Sequence, residues 1–476
     1  MKNTLIFCAF MAFVSCADNT PAPAPVYPIP APKQVAWQQM ETYAFIHFGL
    51  NTFNDMEWGY GDTDPKTFNP TRLDTRQWAS TLKEAGMKGV IITAKHHDGF
   101  CLWPTDLTDY NITHSSYQGD VVGELAEACR EYGLKFGVYL SPWDRNRADY
   151  GSPSYVEYYH AQLRDLMTRY GDIFEIWFDG ANGGDGYYGG ARERRNIDRR
   201  NYYNFPRAWA TVEELQPNAI CFSDAGPGCR WVGNESGHVG ATNWSFLRAA
   251  EVYPGYPNGD ELFIGHADGD AWVAAECDVS IRPGWFYHES EDDKVKTPDD
   301  LQEIYYQSVG HNGTMLLNFP VNKEGLISKT DSINAVTFHQ RITQELGNNL
   351  LLNAKVEASD IRGKRFAATQ ANDGDFESYW ATPDDVNNGS LTFTFSQPQS
   401  VTRLLLQEYI PLGQRVKSFN VEYLHEGNWQ PLALDEETTT IGYKRILRFP
   451  KVTTNALRIN FTDTRGPLCI SEVAAF

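Results

Sequence analysis

The sequence has 476 residues, with 42% hydrophobic and 13% aromatic residues, and its 41 Lys and Arg against 61 Asp and Glu give a formal net charge of −20. This charge argues against a nucleic acid or another polyanion as the partner. The length allows a large core and a second domain, and no segment after the first 16 residues is long and apolar enough to span a membrane.

The first 16 residues are predicted to be a signal peptide. Lys2 precedes an apolar run at 5–14, and Ser15 and Cys16 follow it. The run is too short to span a bilayer. The pattern resembles a bacterial lipoprotein signal, which implies a lipid anchor at Cys16. Phe13 stands where that signal usually has Leu, so ordinary secretory cleavage stays open. Either route predicts export to the periplasm or the outer cell surface.

Residues 17–41 are predicted to be a tether that holds a folded body away from a membrane. This stretch has six prolines between positions 21 and 32. Proline-rich chains favour an extended, semi-rigid conformation.

From 42 to 345 the sequence alternates between strand-like and helix-like patterns. Apolar strand-like runs lie at 43–48, 89–94, 135–140 and 173–178, and capped amphipathic helices are predicted at 74–85, 120–132 and 155–170. Repeated β-α units without hairpin signals favour an α/β fold with a parallel sheet, here a (β/α)8-like, TIM-type barrel. The later runs at 219–222 and 315–319 are less regular, so an imperfect second half is expected.

Six cysteines follow the signal peptide, and no Cys-x-x-Cys spacing occurs among them. Most are predicted to be buried thiols. Cys221 and Cys229 are the one sequence-near pair for which a disulfide is considered.

Polar and aromatic residues stand at the ends of the first four predicted strands. They are His47, followed by Glu57 and Trp58; Lys95, His96, His97 and Asp98; Tyr139 with Trp143; and Asp179. A lone His at a strand end is more often structural, but polar groups converging at a barrel mouth indicate a ligand site. His, Trp, Tyr and carboxylate groups together suit a sugar, whose hydroxyls need hydrogen bonds and whose C–H faces stack on rings.

A zinc site is the competing interpretation of the histidines. Two observations oppose it. His96 and His97 are adjacent and would point to opposite sides of a strand, and the sequence has no His-x-x-x-His or His-Glu-x-x-His pattern.

Cleavage of a glycosidic bond needs one ionised and one protonated carboxyl group. Asp179 ends its strand, and Glu235 lies in a loop beside Trp231, whose burial would favour the protonated acid. A surface role for Glu235 is an equally simple alternative. Other acidic residues remain open as partners: Glu57, Glu175, Glu276 and Asp278.

Six motifs in this order resemble the α-L-fucosidases of glycoside hydrolase family 29. They lie at 45–49, 57–58, 95–100, 177–180, 230–235 and 278–285. The resemblance implies retaining hydrolysis without a cofactor, with Asp179 as nucleophile and Glu235 as acid/base. It also implies that the following residues hold fucose: His47, Glu57, Trp58, His96, His97, Tyr139, Trp177, Arg230 and Trp285.

The Arg-Trp-x-Gly-Asn-Glu form of the motif at 230–235 resembles the branch that cleaves α-1,3- and α-1,4-linked fucose from branched glycans. In that branch, good binding needs a neighbouring galactose. The insertion at 182–200 is arginine-rich, and a solvated loop is favoured for it over a wall of the leaving-group side.

Residues 346–476 are predicted to form a separate antiparallel β-sandwich. Short alternating runs at 391–395, 401–406, 419–423 and 456–461 are separated by turn residues. This part resembles the discoidin, or factor 5/8 type C, module. The resemblance implies a possible sugar-binding role and a structural calcium ion, for which Asp373 and Asp375 offer oxygen ligands; a purely structural role is the alternative.

Two other functions stay open at this stage. One is a fucose-binding protein without catalytic activity, which the presence of both Asp179 and Glu235 opposes. The other is a glycosidase for an L-galactose-like sugar, since L-fucose is 6-deoxy-L-galactose. An apolar pocket for the C5 methyl group, lined by Trp285 or Phe286, would favour fucose.

Overall fold

The computed structural model describes residues 20–352 and 354–476. The predicted signal peptide and the predicted anchor at Cys16 therefore lie outside the described residues. Within the described ranges, no helix is long and apolar enough to cross a membrane.

Eight parallel strands close into a barrel, which confirms the predicted fold class. The strands are β1 Thr42–Ile46, β2 Gly89–Lys95, β3 Lys135–Leu140, β4 Glu175–Trp177, β5 Ile220–Ser223, β6 Cys229–Trp231, β7 Ala274–Ser280 and β8 Gly313–Asn318. Each pairs with its sequence neighbours, and β1 closes the ring against β8 with Thr42 opposite Met315. Their carboxyl ends share one face of the barrel, where the predicted polar residues follow the strands.

Helices surround the barrel and follow the local capping signals. They are α1 Pro32–Gln38, α2 Leu50–Asn54, α3 Thr75–Glu84, α4 Val121–Tyr132, α5 Pro153–Arg169, α6 Phe205–Leu215, α7 Gly259–Ile264, α8 Pro298–Ser308 and α9 Lys329–Glu345. The Asp74 side chain accepts hydrogen bonds from the first free N–H groups of α3. Gly133 ends α4 in the left-handed conformation, at φ 66°. Both helix ends are therefore capped, as the unpaired backbone groups at a helix end require.

The second half of the barrel is irregular, as expected. Strands β5 and β6 are parallel neighbours, yet residues 224–228 join them without a helix. Between β6 and β7 the chain forms the short α7 and a two-stranded ladder of Phe246–Leu247 with Ala271–Trp272. These irregular segments lie on the side of the barrel mouth that carries Glu235.

The tether predicted for 17–41 is wrong for residues 20–41, which pack on both domains. The Val26 N–H donates to the Leu412 carbonyl in the C-terminal domain, at 2.9 Å. Helix α1 lies against the barrel, where the Trp37 indole N–H donates to Glu175 at 2.9 Å. The proline content does favour an extended chain, but an extended chain can pack as well as project, and buried Trp37 and Met40 fix this one in place.

The C-terminal domain is an antiparallel sandwich, as predicted. Its strands are β9 Lys355–Ala358, β10 Trp380–Ala381, β11 Gly389–Glu408, β12 Val416–His425, β13 Asn428–Pro431, β14 Arg445–Thr464 and β15 Cys469–Ala475. The runs at 391–395 and 401–406 belong to one strand, β11, rather than to two. A register shift between Thr394 and Gln399 interrupts the pairing of β11 with β14, and it lies where the sequence has the turn residues between the two runs.

Among the described residues, six cysteines are buried free thiols. The prediction of buried thiols is confirmed, and Cys221 and Cys229 form no disulfide.

Candidate active site

A cavity of about 120 Å³ opens at the carboxyl ends of the barrel strands. Nine of the eleven predicted site residues line it: His47, Glu57, Trp58, His96, His97, Trp177, Asp179, Glu235 and Trp285. Phe45, Ala181 and Asp278 complete the lining. The remaining two predicted residues, Tyr139 and Arg230, have other positions.

Asp179 lies at the end of β4, with its carboxylate held by two donors. The Tyr139 hydroxyl donates to Oδ2 at 2.8 Å, and the Ala181 N–H donates to Oδ1 at 2.6 Å. Burial raises the pKa of Asp179, while these two hydrogen bonds oppose the rise because they stabilise the ionised form. Tyr139 thus contacts the Asp179 carboxylate rather than lining the cavity wall.

Gly180 allows the chain to turn directly after Asp179. A Cβ at this position would lie 2.0 Å from Oδ2 of Asp224. No side chain fits there, so the glycine is needed for close approach rather than for a special backbone angle.

Glu235 stands at the exposed rim of the same cavity, in the loop after β6. Its Oε2 accepts a hydrogen bond from the Trp285 indole N–H at 3.0 Å. Partial burial raises the pKa of Glu235, and the nearby Asp179 and Glu57 carboxylates raise it further. The cavity therefore has four carboxyl groups on its walls, those of Glu57, Asp179, Glu235 and Asp278, of which Glu235 is exposed and accepts from one donor, Trp285, among the described residues.

The three histidines of the cavity are held neutral. Burial is the main cause that lowers the pKa of His47 and of His97 to about 3 and lowers the pKa of His96 well below its usual value. For His97, the nearby guanidinium of Arg145 also disfavours the protonated form. Neutral imidazoles present one donor and one acceptor each, which suits sugar hydroxyls.

Their hydrogen-bond partners assign which nitrogen carries the proton. The amide N–H groups of Asn318 donate to Ser280 Oγ and to the Trp285 carbonyl, so Asn318 Oδ1 accepts from His47 Nδ1 at 2.9 Å. Ser141 Oγ donates to the Trp143 carbonyl and therefore accepts from His97 Nδ1 at 2.7 Å. Nε2 of both rings is left as an acceptor.

One argument from the sequence about the histidine pair is wrong. Strand β2 ends at Lys95, so His96 and His97 lie in a turn, where strand alternation does not apply. Their ring centroids are 4.1 Å apart, and both rings line the cavity. Among the described residues, the one potential metal-ligand cluster is Glu175, Cys229 and Glu276, which includes no histidine.

Glu175 and Glu276 lie inside the barrel below the cavity and do not line it. Glu276 accepts hydrogen bonds from the Trp177 indole, at 2.7 Å, and from the Tyr43 hydroxyl. Burial raises the pKa of both carboxyl groups. The indole and hydroxyl donors oppose this rise at Glu276 because they stabilise its ionised form, whereas the neighbouring Glu276 charge adds to the rise at Glu175. The pair positions Trp177, which stacks on Phe222 at 3.8 Å.

Glu57 organises the chain that carries Trp285. Its two oxygens accept from the N–H groups of Trp285 and Phe286 at 2.9 and 3.0 Å. His288 Nε2 lies 2.7 Å from Oε1, and His288 Nδ1 lies 2.7 Å from Asp55. These donors leave Glu57 with less capacity for a sugar hydroxyl than the sequence motif suggested.

The structure does not bring Arg230 to the cavity. Its side chain is fully buried and donates to the carbonyls of Leu262 and Val273 and to Asn243 Oδ1. The interpretation as a fucose ligand is therefore corrected to a structural role, because protein oxygens already accept from the guanidinium. Adjacent residues of a strand face opposite sides, and the motif alone did not show which side Arg230 faces.

Asp278, which the sequence offers only as an alternative to Glu235, lies on the cavity wall. It is buried on β7, and its Oδ1 has no hydrogen-bond partner among the described residues. Burial, reinforced by Glu235, raises its pKa well above the usual value. Glu276, Asp278 and Ser280 alternate along β7, a period-two polar pattern that could have identified this inward face.

A second pocket of about 300 Å³ adjoins the first. It shares Trp58, Trp177, Asp179, Ala181, Glu235 and Asp278 with the cavity. Its other walls come from the end of β6 and from loops: Trp231 on the strand, and Gly180, Arg199, Asp224, Gly255, Tyr256 and Pro257 in loops. Since it lies beside both Asp179 and Glu235, a group attached to a sugar in the cavity would occupy it.

The preference for a solvated loop at 182–200 is wrong for 184–188 and is confirmed for most of 189–200, which is exposed. This insertion forms a hairpin of Gly184–Gly186 with Glu193–Arg195. Tyr188 between them is buried, stacks on Tyr150 at 5.5 Å and accepts from the Trp143 indole at 2.9 Å. Several of its arginines remain exposed, which accounts for its polar composition.

Comparison with known proteins shows the family of this chain. The family model described as alpha-L-fucosidase matches residues 26–337, and the model of the F5/8 type C domain matches 353–475. Alpha-L-fucosidase 1 of Arabidopsis thaliana is 42% identical over 441 residues, which cover 91% of this chain and 84% of that protein.

Two solved structures extend the agreement to the fold. A glycoside hydrolase 29 family member from an unknown rumen bacterium is 44% identical, with a TM-score of 0.84, over 96% of this chain and 78% of that one. A GH29 fucosidase of Ruminococcus gnavus in complex with fucose is 32% identical, with a TM-score of 0.86, over 96% of both chains. The chain is therefore an enzyme that belongs to the α-L-fucosidases of glycoside hydrolase family 29, with a C-terminal F5/8 type C domain.

Proposed function

We propose that this protein removes terminal α-1,3- or α-1,4-linked L-fucose from branched glycans by a retaining mechanism. The observation that carries the proposal is the pair of carboxyl groups on one cavity. Asp179 is held by two donors that favour its ionised form, whereas burial and neighbouring carboxylates favour the protonated form of Glu235. Retaining glycosidases need these two states in one site.

The reaction would proceed in two displacements. In the first, an oxygen of Asp179 forms a bond to the anomeric carbon as the glycosidic C–O bond breaks, and the proton of Glu235 moves to the leaving oxygen. In the second, Glu235 takes a proton from water, whose oxygen attacks the same carbon and releases fucose and free Asp179. The carboxyl groups do all the proton and bond transfer, so no cofactor is required.

Fucose is favoured over an L-galactose-like sugar by the apolar part of the cavity. Phe45, Trp177 and Trp285 supply ring surface, while His47 and His97 present acceptors for hydroxyl groups. A methyl group at C5 loses nothing against rings, whereas a hydroxymethyl group needs a partner there. Hydrolysis rates of matched aryl α-L-fucoside and α-L-galactoside test this preference, and equal rates would contradict it.

The linkage proposal rests on the second pocket. Its Asp224, Tyr256 and Arg199 offer polar groups, and Trp231 offers a ring, next to the two carboxyl groups. A branched aglycone with a neighbouring sugar would have partners there, whereas a simple aryl group would leave most of them unused.

The test is hydrolysis of a Lewis-type trisaccharide beside an aryl α-L-fucoside, by wild type, Asp179→Ala and Glu235→Ala. We expect wild type to prefer the trisaccharide and both variants to be severely impaired. Azide should rescue Glu235→Ala to an α-fucosyl azide and Asp179→Ala to a β-fucosyl azide. The same anomer from both variants would contradict the retaining mechanism.

The calcium ion implied for 373–375 fits this turn poorly. Both oxygens of Asp373 accept hydrogen bonds, from Ser378 Oγ and the Asp375 N–H, and Asp375 Oδ1 accepts from the Glu377 N–H. Such a turn is already satisfied by its own donors. Thermal unfolding with and without a chelator tests for an ion, and we expect no shift in Tm.

Export and lipid anchoring at Cys16 are proposed from the sequence alone. The supporting pattern is Lys2, the apolar run at 5–14 and the Ser15-Cys16 pair. Fractionation of cells that express wild type and Cys16→Ser tests the anchor. We expect wild type in the membrane fraction and the variant outside it, and the same fraction for both would contradict anchoring.

A further inference from the structure

We infer that Arg145 is a positioning residue for the wall that the cavity of about 120 Å³ shares with the second pocket of about 300 Å³. The first is called the fucose cavity and the second the leaving-group pocket, after their proposed occupants. Arg145 assembles this wall and sets the orientation of Trp58. Trp58 lines both pockets, although its side chain is 51% exposed. Its ring packs edge-to-face on the rings of His97 and Trp143, at 5.1 and 5.6 Å, and these contacts need the Trp58 backbone in its present position. Arg145 holds that backbone through the Trp58 carbonyl.

The side chain of Arg145 joins two loops that are far apart in sequence. One terminal nitrogen donates to the carbonyls of Trp58 and Gly59, at 2.7 and 2.8 Å, and Nε donates to the carbonyl of Asp185 at 2.6 Å. Asp185 belongs to the hairpin of the 182–200 insertion. A single planar group thus fixes the loop of Trp58 to the insertion.

The backbone of Arg145 joins the same wall to the cavity. Its N–H donates to the His97 carbonyl at 2.8 Å, and its own carbonyl accepts from the Tyr188 N–H at 2.8 Å. The Tyr187 N–H donates to the Tyr60 carbonyl at 3.0 Å, which links the two loops directly as well. Four segments therefore meet at this residue: the loops after β1, β2 and β3 and the insertion.

Burial and stacking indicate that this arginine is built into the wall. Its exposed fraction is 5%, and its guanidinium lies 4.2 Å from the Tyr60 ring centroid and 5.1 Å from that of Trp143. Among the described residues, no carboxylate pairs with it. A buried cation without a carboxylate partner depends on its carbonyl acceptors, and the loops that supply them are held in turn.

Lysine cannot replace this arrangement. The guanidinium offers five N–H donors in a fixed plane, whereas an ammonium group offers three donors on one nitrogen. Arg145→Lys keeps the charge but cannot reach carbonyls on both loops with the same geometry. The variant therefore separates the bridging role from the charge.

The inference rests on the proposed function only for its kinetic part. The first measurement is amide hydrogen exchange of Arg145→Lys and Arg145→Met, which needs no substrate. We expect faster exchange than wild type in both 57–61 and 184–188, with Arg147→Lys as the matched control that leaves both segments unchanged. Unchanged exchange in either segment of both variants would overturn the bridging role. Circular dichroism checks that the variants are folded.

The second measurement is a double-mutant cycle of Arg145→Lys with Trp58→Ala on the aryl fucoside. If Arg145 acts through Trp58, Arg145→Lys lowers kcat/KM about tenfold in wild type and less than about twofold when Trp58 is already Ala. Equal losses in both backgrounds would overturn the link to Trp58, while faster exchange would still support the bridge. Absence of hydrolysis by wild type would instead contradict the proposed function.

Discussion

The two pockets at the barrel mouth differ in how they are built. Most of the residues that line the fucose cavity lie on the strands or directly after them, and half of them are buried, as His47 and His97 are; Glu57, Trp58, Glu235 and Trp285 come from loops. The leaving-group pocket takes Arg199, Asp224 and Tyr256 from loops, and Arg199 is exposed. Strands thus supply most of the fucose cavity, the proposed site of the cleaved sugar. Loops supply most of the leaving-group pocket, the proposed site of the group to which fucose is attached, and this group varies between glycans. Substitutions of residues that line only the fucose cavity should therefore affect both substrates, and substitutions of residues that line only the leaving-group pocket should affect one.

The largest expected effect is at Asp179. Asp179→Ala removes the nucleophile of the first displacement and should lower kcat by about 10⁴-fold on the trisaccharide and on the aryl fucoside alike. Steady-state kinetics on both substrates measures it. A loss on only one of them would show that the cavity does not serve both.

Glu235 should separate the two substrates. Glu235→Ala should lower the rate on the trisaccharide by about 10²- to 10⁴-fold. When azide is present to accept the sugar, the same substitution should lower the rate much less on an aryl fucoside, because its leaving group needs no proton. The raised pKa of Glu235 gives the sign of the pH effect, because its acid form falls as pH rises through that pKa and the wild-type rate falls with it. In Glu235→Ala with azide, this alkaline decline should be absent from the pH–rate profile. Its persistence would assign the acid to another group.

A smaller effect is expected at Asp278, which lies on the wall common to both pockets. Because its pKa is raised well above the usual value, the group is expected to be a neutral acid, and one of its buried oxygens has no hydrogen-bond partner in the described part of the chain. Asp278→Asn keeps a donor and an acceptor and should lower kcat/KM less than about fivefold, whereas Asp278→Leu should lower it by about 10- to 100-fold. Equal losses in the two variants would contradict a hydrogen-bonding role. Tm of each variant controls for stability.

The smallest effect is expected at the exposed edge of the leaving-group pocket. Arg199→Gln should raise KM for the trisaccharide by about fivefold, the value of one modest hydrogen bond, and leave the aryl fucoside unchanged. Arg194→Gln is the matched control, since this arginine of the same insertion lies outside that pocket. A change on the aryl fucoside would show that the loop pocket is not independent of the cavity.

Local signals in the sequence predicted the parts of the fold that local chemistry decides. Asp74 and Gly133 marked helix ends, and the apolar runs before His47, Lys95 and Asp179 marked barrel strands, because capping and burial depend on a few neighbouring residues. The same strand ends placed most of the candidate site at one mouth of the barrel.

Long-range contacts decided what the sequence could not predict. Trp37 meets Glu175 across 138 positions, so composition alone made α1 part of a tether. The insertion looked solvated because its arginines face outward, while the partners that bury Tyr188 come from a loop after β3. The buried environment of Arg230 depends on segments at 243–273, which no motif describes.

The segment at 20–41 has a practical consequence for making this protein. A recombinant chain trimmed to begin at residue 42, where the first barrel strand starts, would lack Trp37 and leave Glu175 without its indole donor beside Glu276. It would also lose the Gln34 side-chain N–H groups that reach the Gly228 and Trp272 carbonyls. Glu175 and Glu276 would then no longer be covered by this segment. Expression vectors should therefore retain this stretch even though the sequence predicts a tether there, and tags are best placed upstream of it.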